Sequence, residues 1–243
     1  MTHEGKLKIK LVQDTERLRV WEHQGTSKRL VICFSGIGPD EKKPPEFEFA
    51  ETAAGGGKDW VLYIADPKRT WLNGPGLIDQ IVSVIERYAA RMGAMTICSL
   101  GHSMGGYSAL ALPGFTKVDV ALGLSPQVSV HPDVVPDDPR WMNWREQISE
   151  YRVRHIADHL ANETQYFAIF GRHPREAPQR GRFPVAENIE TLVMAKTHHN
   201  TAARLRRAGL LQTVVEAAFS GRKYRVRRLI RRNFGDAQNG AER

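Results

Sequence analysis

The sequence predicts an α/β protein with a doubly wound, mostly parallel sheet of about eight strands flanked by helices. Short, continuous apolar runs rich in β-branched and aromatic residues recur along the chain, which is typical of strands buried on both faces. Helical patterns separate these runs. Before them, the alternating stretches KLKIKLVQ and RLRVWEHQ predict an antiparallel pair of strands at the start of the chain.

The remaining elements follow in a regular order. Helix periodicity in GLIDQIVSVIERYAARMG ends at Gly93, and further helices are predicted directly after Ser103, over roughly 143–160, and from 201 to 219. The parallel strands are predicted in six runs: RLVICFSG, WVLYIAD, MTICSLGHS, VDVALGLS, QYFAIFG and TLVMAKT. Strands and helices therefore alternate along this part of the chain.

The chain is interpreted as one domain over 1–221, followed by a basic tail at 222–243. A proline-rich segment at about 127–160 follows a strand, where a long insertion is placed to cover a site, so it is interpreted as a small lid. The tail includes GRKYRVRRLIRR, which accounts for most of the formal charge of +8. A solvated basic helix is favoured there over a weak contact with a membrane surface, and the near-neutral remainder gives no support for specific nucleic-acid binding.

Composition excludes several other classes of protein. No apolar run approaches the roughly 18 residues of a membrane-spanning helix, and the N-terminal stretch lacks the apolar core of a signal peptide, which predicts a cytoplasmic protein. Cys33 and Cys98 each lie in an apolar strand pattern, so they are expected to be reduced core residues. A Cys/His metal site is not predicted.

The motif that carries chemistry is Gly-His-Ser-Met-Gly-Gly at 101–106. It follows a predicted strand and precedes a predicted helix, which is the setting of a G-x-S-x-G nucleophile elbow. In such an elbow the serine lies on a strained turn, and glycines two residues away on either side prevent collisions with the neighbouring backbone. Ser103 is therefore the predicted nucleophile.

Through GHSMGG and the order of strands around it, the chain resembles the α/β-hydrolase family over most of residues 7–219. The resemblance implies a hydrolase without a cofactor, in which two backbone N–H groups form an oxyanion hole. These would belong to Met104 and to Ile37, which lies in the loop after the third strand. The family often has His-Gly at the start of this loop, where this chain has Ser35-Gly36.

The resemblance also implies a histidine and an acid later in the chain. His199 is preferred over His198 as the base, because family members place the histidine immediately before the final helical segment. For the acid, the family has an aspartate after the seventh strand, but the run here is FGRHPREAPQ, so Glu176 is preferred. Asp133, after the sixth strand, is the alternative because some family members carry the acid there.

These residues predict a serine hydrolase that cleaves an ester or thioester, or transfers an acyl group, through a Ser-His-acid triad. A resemblance of Asp66, Pro67 and Trp71 to small bacterial hydrolases associated with surface polysaccharides favours an ester on a sugar or lipid-linked molecule. The alternative is a hydrolase-fold scaffold or binding protein that has lost its acid, which the missing aspartate supports. The sequence leaves the oligomeric state open.

Overall fold

An eight-stranded sheet forms the centre of the structure, a computed structural model that describes residues 7–235. The spatial order is β1-β2-β4-β3-β5-β6-β7-β8; β1 and β2 are antiparallel additions, and β3 to β8 run parallel to one another. The doubly wound, mostly parallel sheet predicted from the sequence is confirmed. Its strands are β1 Ile9–Asp14, β2 Arg19–His23, β3 Arg29–Phe34, β4 Trp60–Ala65, β5 Thr96–His102, β6 Val120–Leu124, β7 Gln165–Gly171 and β8 Ile189–Met194.

Helices cover both faces of the sheet and divide the core into two clusters. One cluster joins the sheet to α2, α3 and the segment between β6 and β7, and the other joins it to α1, α6, α7 and α8. Every residue of β6 is buried, which explains why its sequence is continuously apolar rather than alternating. The helices are α1 Ala50–Ala53, α2 Leu77–Met92, α3 Met104–Ala111, α4 Met142–Arg145, α5 Ala177–Arg180, α6 Thr201–Arg207, α7 Leu211–Phe219 and α8 Lys223–Phe234.

The topology brings four loops together. Strands β5, β6, β7 and β8 are consecutive neighbours and parallel, so the loops that follow them lie at one edge of the sheet. Ligand sites of open α/β sheets form at this carboxyl edge. The predicted nucleophile, acid and base all follow these strands.

The insertion between β6 and β7 differs from the helix predicted over 143–160. Only α4 and a 3-10 turn at Ile156–His159 are helical there. Side chains satisfy the backbone instead: the Tyr107 hydroxyl donates to the Val153 carbonyl at 2.6 Å, and the Val153 N–H donates to Asn73 Oδ1 at 2.8 Å. These partners are remote in sequence, so helical periodicity alone could not reveal them.

The C-terminal part of the described chain also differs from the expectation. The helix predicted from 201 to 219 is two helices, α6 and α7, separated at Gly209, whose φ of +67° is left-handed. After them, α8 packs against the sheet through Val226, Ile230 and Phe234, which belong to the second core cluster. Most of the segment interpreted as a basic tail is thus a packed helix, while residues 236–243 lie outside the described residues. No described helix is long and apolar enough to cross a membrane.

Packing of α8 can be tested by removing one buried side chain. Ile230 is fully buried, so Ile230→Ala is expected to lower the free energy of unfolding by about 2–5 kcal/mol. Arg228 lies on the exposed face of the same helix, and Arg228→Ala is expected to change stability by less than about 0.5 kcal/mol. Urea unfolding of both variants makes the comparison; equal midpoints would contradict the packing of this helix.

Candidate active site

Ser103 lies on a strained turn between β5 and α3. Its φ of 57° and ψ of −121° fall in a region that side-chain-bearing residues rarely adopt. The flanking glycines make the turn possible: a Cβ on Gly101 would lie 2.1 Å from the Gly105 carbonyl, and one on Gly105 would lie 2.3 Å from the Phe34 carbonyl oxygen. The G-x-S-x-G spacing therefore reflects close backbone contact between the elbow and β3.

Ser103, His199 and Glu176 form a chain of hydrogen bonds. The Ser103 Oγ lies 2.8 Å from His199 Nε2, and His199 Nδ1 lies 3.1 Å from each carboxylate oxygen of Glu176. A carboxylate only accepts hydrogen bonds, so the ring proton is on Nδ1. His199 Nε2 is then an acceptor, and the Ser103 hydroxyl donates to it.

Glu176 is held as a buried carboxylate. Its side chain is 1% exposed, and Arg140 Nη1 donates to Oε1 at 2.6 Å. Burial raises the pKa of this carboxyl, but the hydrogen bond from His199 and the positive charge of Arg140 outweigh it and leave the pKa below its usual value. Glu176 is therefore ionised at neutral pH and suited to orient an imidazole.

A glycine brings the acid and histidine loops together. A Cβ on Gly171, at the end of β7, would lie 2.2 Å from the His198 carbonyl oxygen and 2.4 Å from that of Thr197. Any side chain at this position would push the loop after β8 away from the loop after β7. The close approach places His199 within hydrogen-bond reach of Glu176.

His102 supports the histidine loop from the elbow. Its Nε2 lies 2.8 Å from the backbone carbonyl oxygen of His199, and the two rings lie 5.0 Å apart between centroids. Burial lowers the pKa of His102 to about 4, assisted by the neighbouring His199. The ring is neutral at physiological pH and donates its Nε2 proton to the carbonyl, which fixes the backbone of the histidine loop.

Two alternatives from the sequence lie away from this chain of hydrogen bonds. His198 is exposed and its ring stacks on His173, with centroids 3.9 Å apart. Asp133 has a side chain that is 72% exposed and pairs with Arg154 at 3.3 Å. Neither of them is hydrogen-bonded to Ser103 or His199 in the part of the chain that the structure describes.

The expected oxyanion donors flank the elbow. Met104 is the first residue of α3, where an N–H has no partner in the helix ladder. Ile37 follows Gly36, and a Cβ on Gly36 would lie 3.3 Å from the His102 carbonyl oxygen, so this loop rests against the elbow. The buried guanidinium of Arg69 donates to the Ile37 carbonyl at 2.9 Å and holds the peptide that follows the proposed donor.

The insertion supplies further side chains to the site. Arg140 bridges Glu176 and Asp138, with Nε at 2.8 Å from Asp138 Oδ1. Trp141 lies beside the imidazole of His199, with ring centroids 5.4 Å apart. After β6, Gln127 Nε2 donates to Ser103 Oγ at 3.1 Å. Apart from the Arg140–Asp138 pair, these contacts join positions far apart in sequence, and no local motif marks them.

Comparisons with known proteins bear on the fold. No protein-family model and no curated protein sequence matches the chain. An esterase of Pyrococcus furiosus superposes with a TM-score of 0.57 at 17% identity, over 89% of this chain and 93% of that chain. The capsule O-acetyltransferase of Neisseria meningitidis serogroup A gives a TM-score of 0.59 at 12% identity, over 84% and 92% of the two chains.

This chain has the α/β-hydrolase fold. A hormone-sensitive lipase from a metagenome library shares it, with a TM-score of 0.54 at 12% identity over 90% of this chain and 86% of that chain. At identities this low, the superpositions show the shared fold alone. The chemistry must therefore be argued from the site. Among residues 7–235, no group of three or more His, Cys, Asp or Glu side chains is arranged to hold a metal ion.

Proposed function

We propose that this protein is a serine hydrolase that cleaves an ester through an acyl-enzyme intermediate. The observation that carries the proposal is the hydrogen-bonded series of Ser103, His199 and Glu176 on a strained elbow. Nucleophilic catalysis by serine requires a base within hydrogen-bond reach of the hydroxyl and a third group that orients the base. Both relations are present at one edge of the sheet.

In the first half of the reaction, Ser103 Oγ attacks the ester carbonyl carbon as its proton passes to His199 Nε2. The carbonyl electron pair moves onto oxygen, and the N–H groups of Met104 and Ile37 are assigned to stabilise it. When this intermediate collapses, the bond to the alcohol oxygen breaks, and that oxygen takes the proton from His199. Glu176 stabilises the imidazolium that exists between these steps.

In the second half, water gives a proton to His199 and adds to the acyl carbon. The bond to Ser103 Oγ then breaks, and Oγ recovers its proton from the imidazolium. A carboxylic acid leaves, and the free enzyme is restored. If an alcohol takes the place of water in this second half, the acyl enzyme transfers its acyl group to that alcohol.

An ester carried by a sugar or a lipid-linked molecule is the proposed substrate class. The fold neighbours include a capsule O-acetyltransferase and an esterase, both of which act on acyl groups carried by oxygen. The insertion at about 127–160 is proposed as the segment that covers the substrate. Its Trp141 lies beside His199 and supplies an apolar surface for a sugar ring or acyl chain.

The scaffold alternative loses its main support. It was favoured by the missing aspartate after the seventh strand, but Glu176 supplies a buried carboxylate to His199 from that loop. Buried charge and a strained serine are costly features, and a binding protein would gain nothing from keeping them together. Both features favour an enzyme.

A fluorophosphonate probe tests the proposal directly. Covalent labelling requires an activated serine and an oxyanion hole, so we expect stoichiometric labelling of the purified protein at one residue. Peptide mass spectrometry should locate the adduct on Ser103. Unlabelled protein that unfolds cooperatively, or an adduct that persists on another residue in the Ser103→Ala variant, would contradict the proposal.

A further inference from the structure

Gln127 is a second side chain, besides His199, that is hydrogen-bonded to Ser103 Oγ. Its side-chain Nε2 lies 3.1 Å from Ser103 Oγ, and its side chain is fully buried. The Ser103 proton is directed to His199 Nε2 at 2.8 Å. A lone pair of Oγ therefore accepts the Gln127 N–H. The Ser103 hydroxyl thus donates one hydrogen bond, to His199, and accepts one, from Gln127.

Trp71 determines which end of the Gln127 amide faces Ser103. The indole Nε1 lies 3.2 Å from Gln127 Oε1, and an indole nitrogen can only donate a hydrogen bond. The amide oxygen must face Trp71, so the NH₂ group faces Oγ. The orientation of the amide follows from chemistry rather than from the choice between two similar atoms.

The side chain of Trp71 is itself firmly placed. It is fully buried, and its φ of 50° is one of three positive values among side-chain-bearing residues of the 69–72 turn. Asn73 Nδ2 donates to the Trp71 carbonyl at 2.9 Å, and Asn73 Oδ1 accepts the N–H of Val153 from the insertion. The strained turn therefore positions the indole N–H of Trp71 toward Gln127.

We propose that Gln127 is a further catalytic residue, whose amide N–H stabilises negative charge on Ser103 Oγ. This role rests on the proposed function. Charge develops on Oγ when its proton passes to His199 during attack, and again when Oγ leaves the acyl carbon in the second half of the reaction. A fixed, desolvated donor stabilises such charge without reorganisation.

Burying the polar Gln127 amide costs free energy that an apolar residue, serving only to fill the space, would avoid. A buried amide must satisfy both its groups, and leucine would fill a similar volume in an apolar environment without that requirement. Here both amide groups are used, one on the nucleophile and one on a side chain from a strained turn. The arrangement favours a role in stabilising charge over a role in packing.

Two substitutions separate these roles. Gln127→Leu removes the donor, and we expect the rates of fluorophosphonate labelling and ester hydrolysis to fall about tenfold to a hundredfold. Gln127→Glu preserves the shape but places a carboxylate beside Oγ. Its labelling rate relative to wild type should fall further as pH rises, because the ionised carboxylate opposes charge on Oγ and the protonated form can donate to it.

His199, Glu176, Arg140, Asp138 and His102 are titratable or charged groups of this region, and they are unchanged in both proteins. Dividing the variant rate by the wild-type rate at each pH therefore gives the total effect of the introduced carboxyl group on labelling, including its interaction with these neighbours. As a matched control, Gln165→Leu removes a side-chain hydrogen bond to the Asn188 carbonyl at the opposite end of β7. It is expected to label at the wild-type rate.

The outcomes separate this inference from the proposed function. If wild-type Ser103 is not labelled, the proposed function fails. If wild type is labelled and the Gln127 variants label at the same rate with no change in pH dependence, only the role of Gln127 fails. Should Gln127→Leu not fold, as judged by thermal unfolding, Gln127→Glu provides the same test with an isosteric side chain.

Discussion

His199→Ala is expected to reduce kcat for ester hydrolysis by about 10⁶-fold, because the Ser103 hydroxyl then has no base to accept its proton. Steady-state kinetics with a p-nitrophenyl ester measures the loss. Ser103→Ala should give a similar residual rate, and the double variant should be no slower than either single variant. Non-additivity of this kind is the signature of residues that act as one unit.

His198→Ala is the matched control for this prediction. Its ring is exposed and stacks on His173 rather than contacting Ser103, so the variant should retain nearly all of the wild-type kcat. If the His198 variant were inactive and the His199 variant active, the base would be His198 and this assignment would be wrong. Additive losses in the double variant would contradict proton transfer between Ser103 and His199.

Glu176→Gln is expected to reduce kcat by about 10⁴-fold while leaving Ser103 as the labelled residue. The glutamine amide can donate to His199 Nδ1, which favours the tautomer with its proton on Nε2. That tautomer cannot accept the serine proton, and the imidazolium also loses its neighbouring carboxylate. Measuring kcat together with the site of labelling separates loss of proton transfer from loss of the nucleophile.

Asp133→Asn provides the comparison. Asp133 is largely exposed and pairs with Arg154, so its replacement should leave kcat within about twofold of wild type. If the Asp133 variant were inactive and the Glu176 variant active, the acid would lie after β6. If neither substitution changed kcat, the enzyme would operate with Ser103 and His199 alone.

The sheet and the elbow could be predicted because their signals are local. Continuous apolar runs reported burial on both faces, as β6 shows, and the spacing of Gly101 and Gly105 reported a turn in close contact with β3. Parallel order then placed the loops after β5, β7 and β8 at one edge. The elbow motif predicted Ser103, and the resemblance to the α/β-hydrolase family implied Glu176 and His199; the structure brings all three within hydrogen-bond distance.

The insertion could not be predicted because its structure depends on distant partners. Val153 has its backbone groups satisfied by Tyr107 and Asn73, and these contacts replace the bonds of the expected helix. Arg140 and Gln127 likewise acquire their positions from Glu176 and Trp71. A single sequence does not reveal which distant residues contact each other, since the neighbours of each of these residues along the chain form no recognisable motif.

The position of Arg140 links the shape of the enzyme to the basicity of its acid. Arg140 belongs to the insertion, whereas Glu176 belongs to a loop anchored on the sheet. A substrate that lifted the insertion would withdraw the guanidinium and leave His199 as the remaining hydrogen-bond partner of Glu176 among these two residues. The carboxylate would then attract the imidazole proton more strongly, so substrate binding and the proton affinity of Glu176 would be coupled through one ion pair.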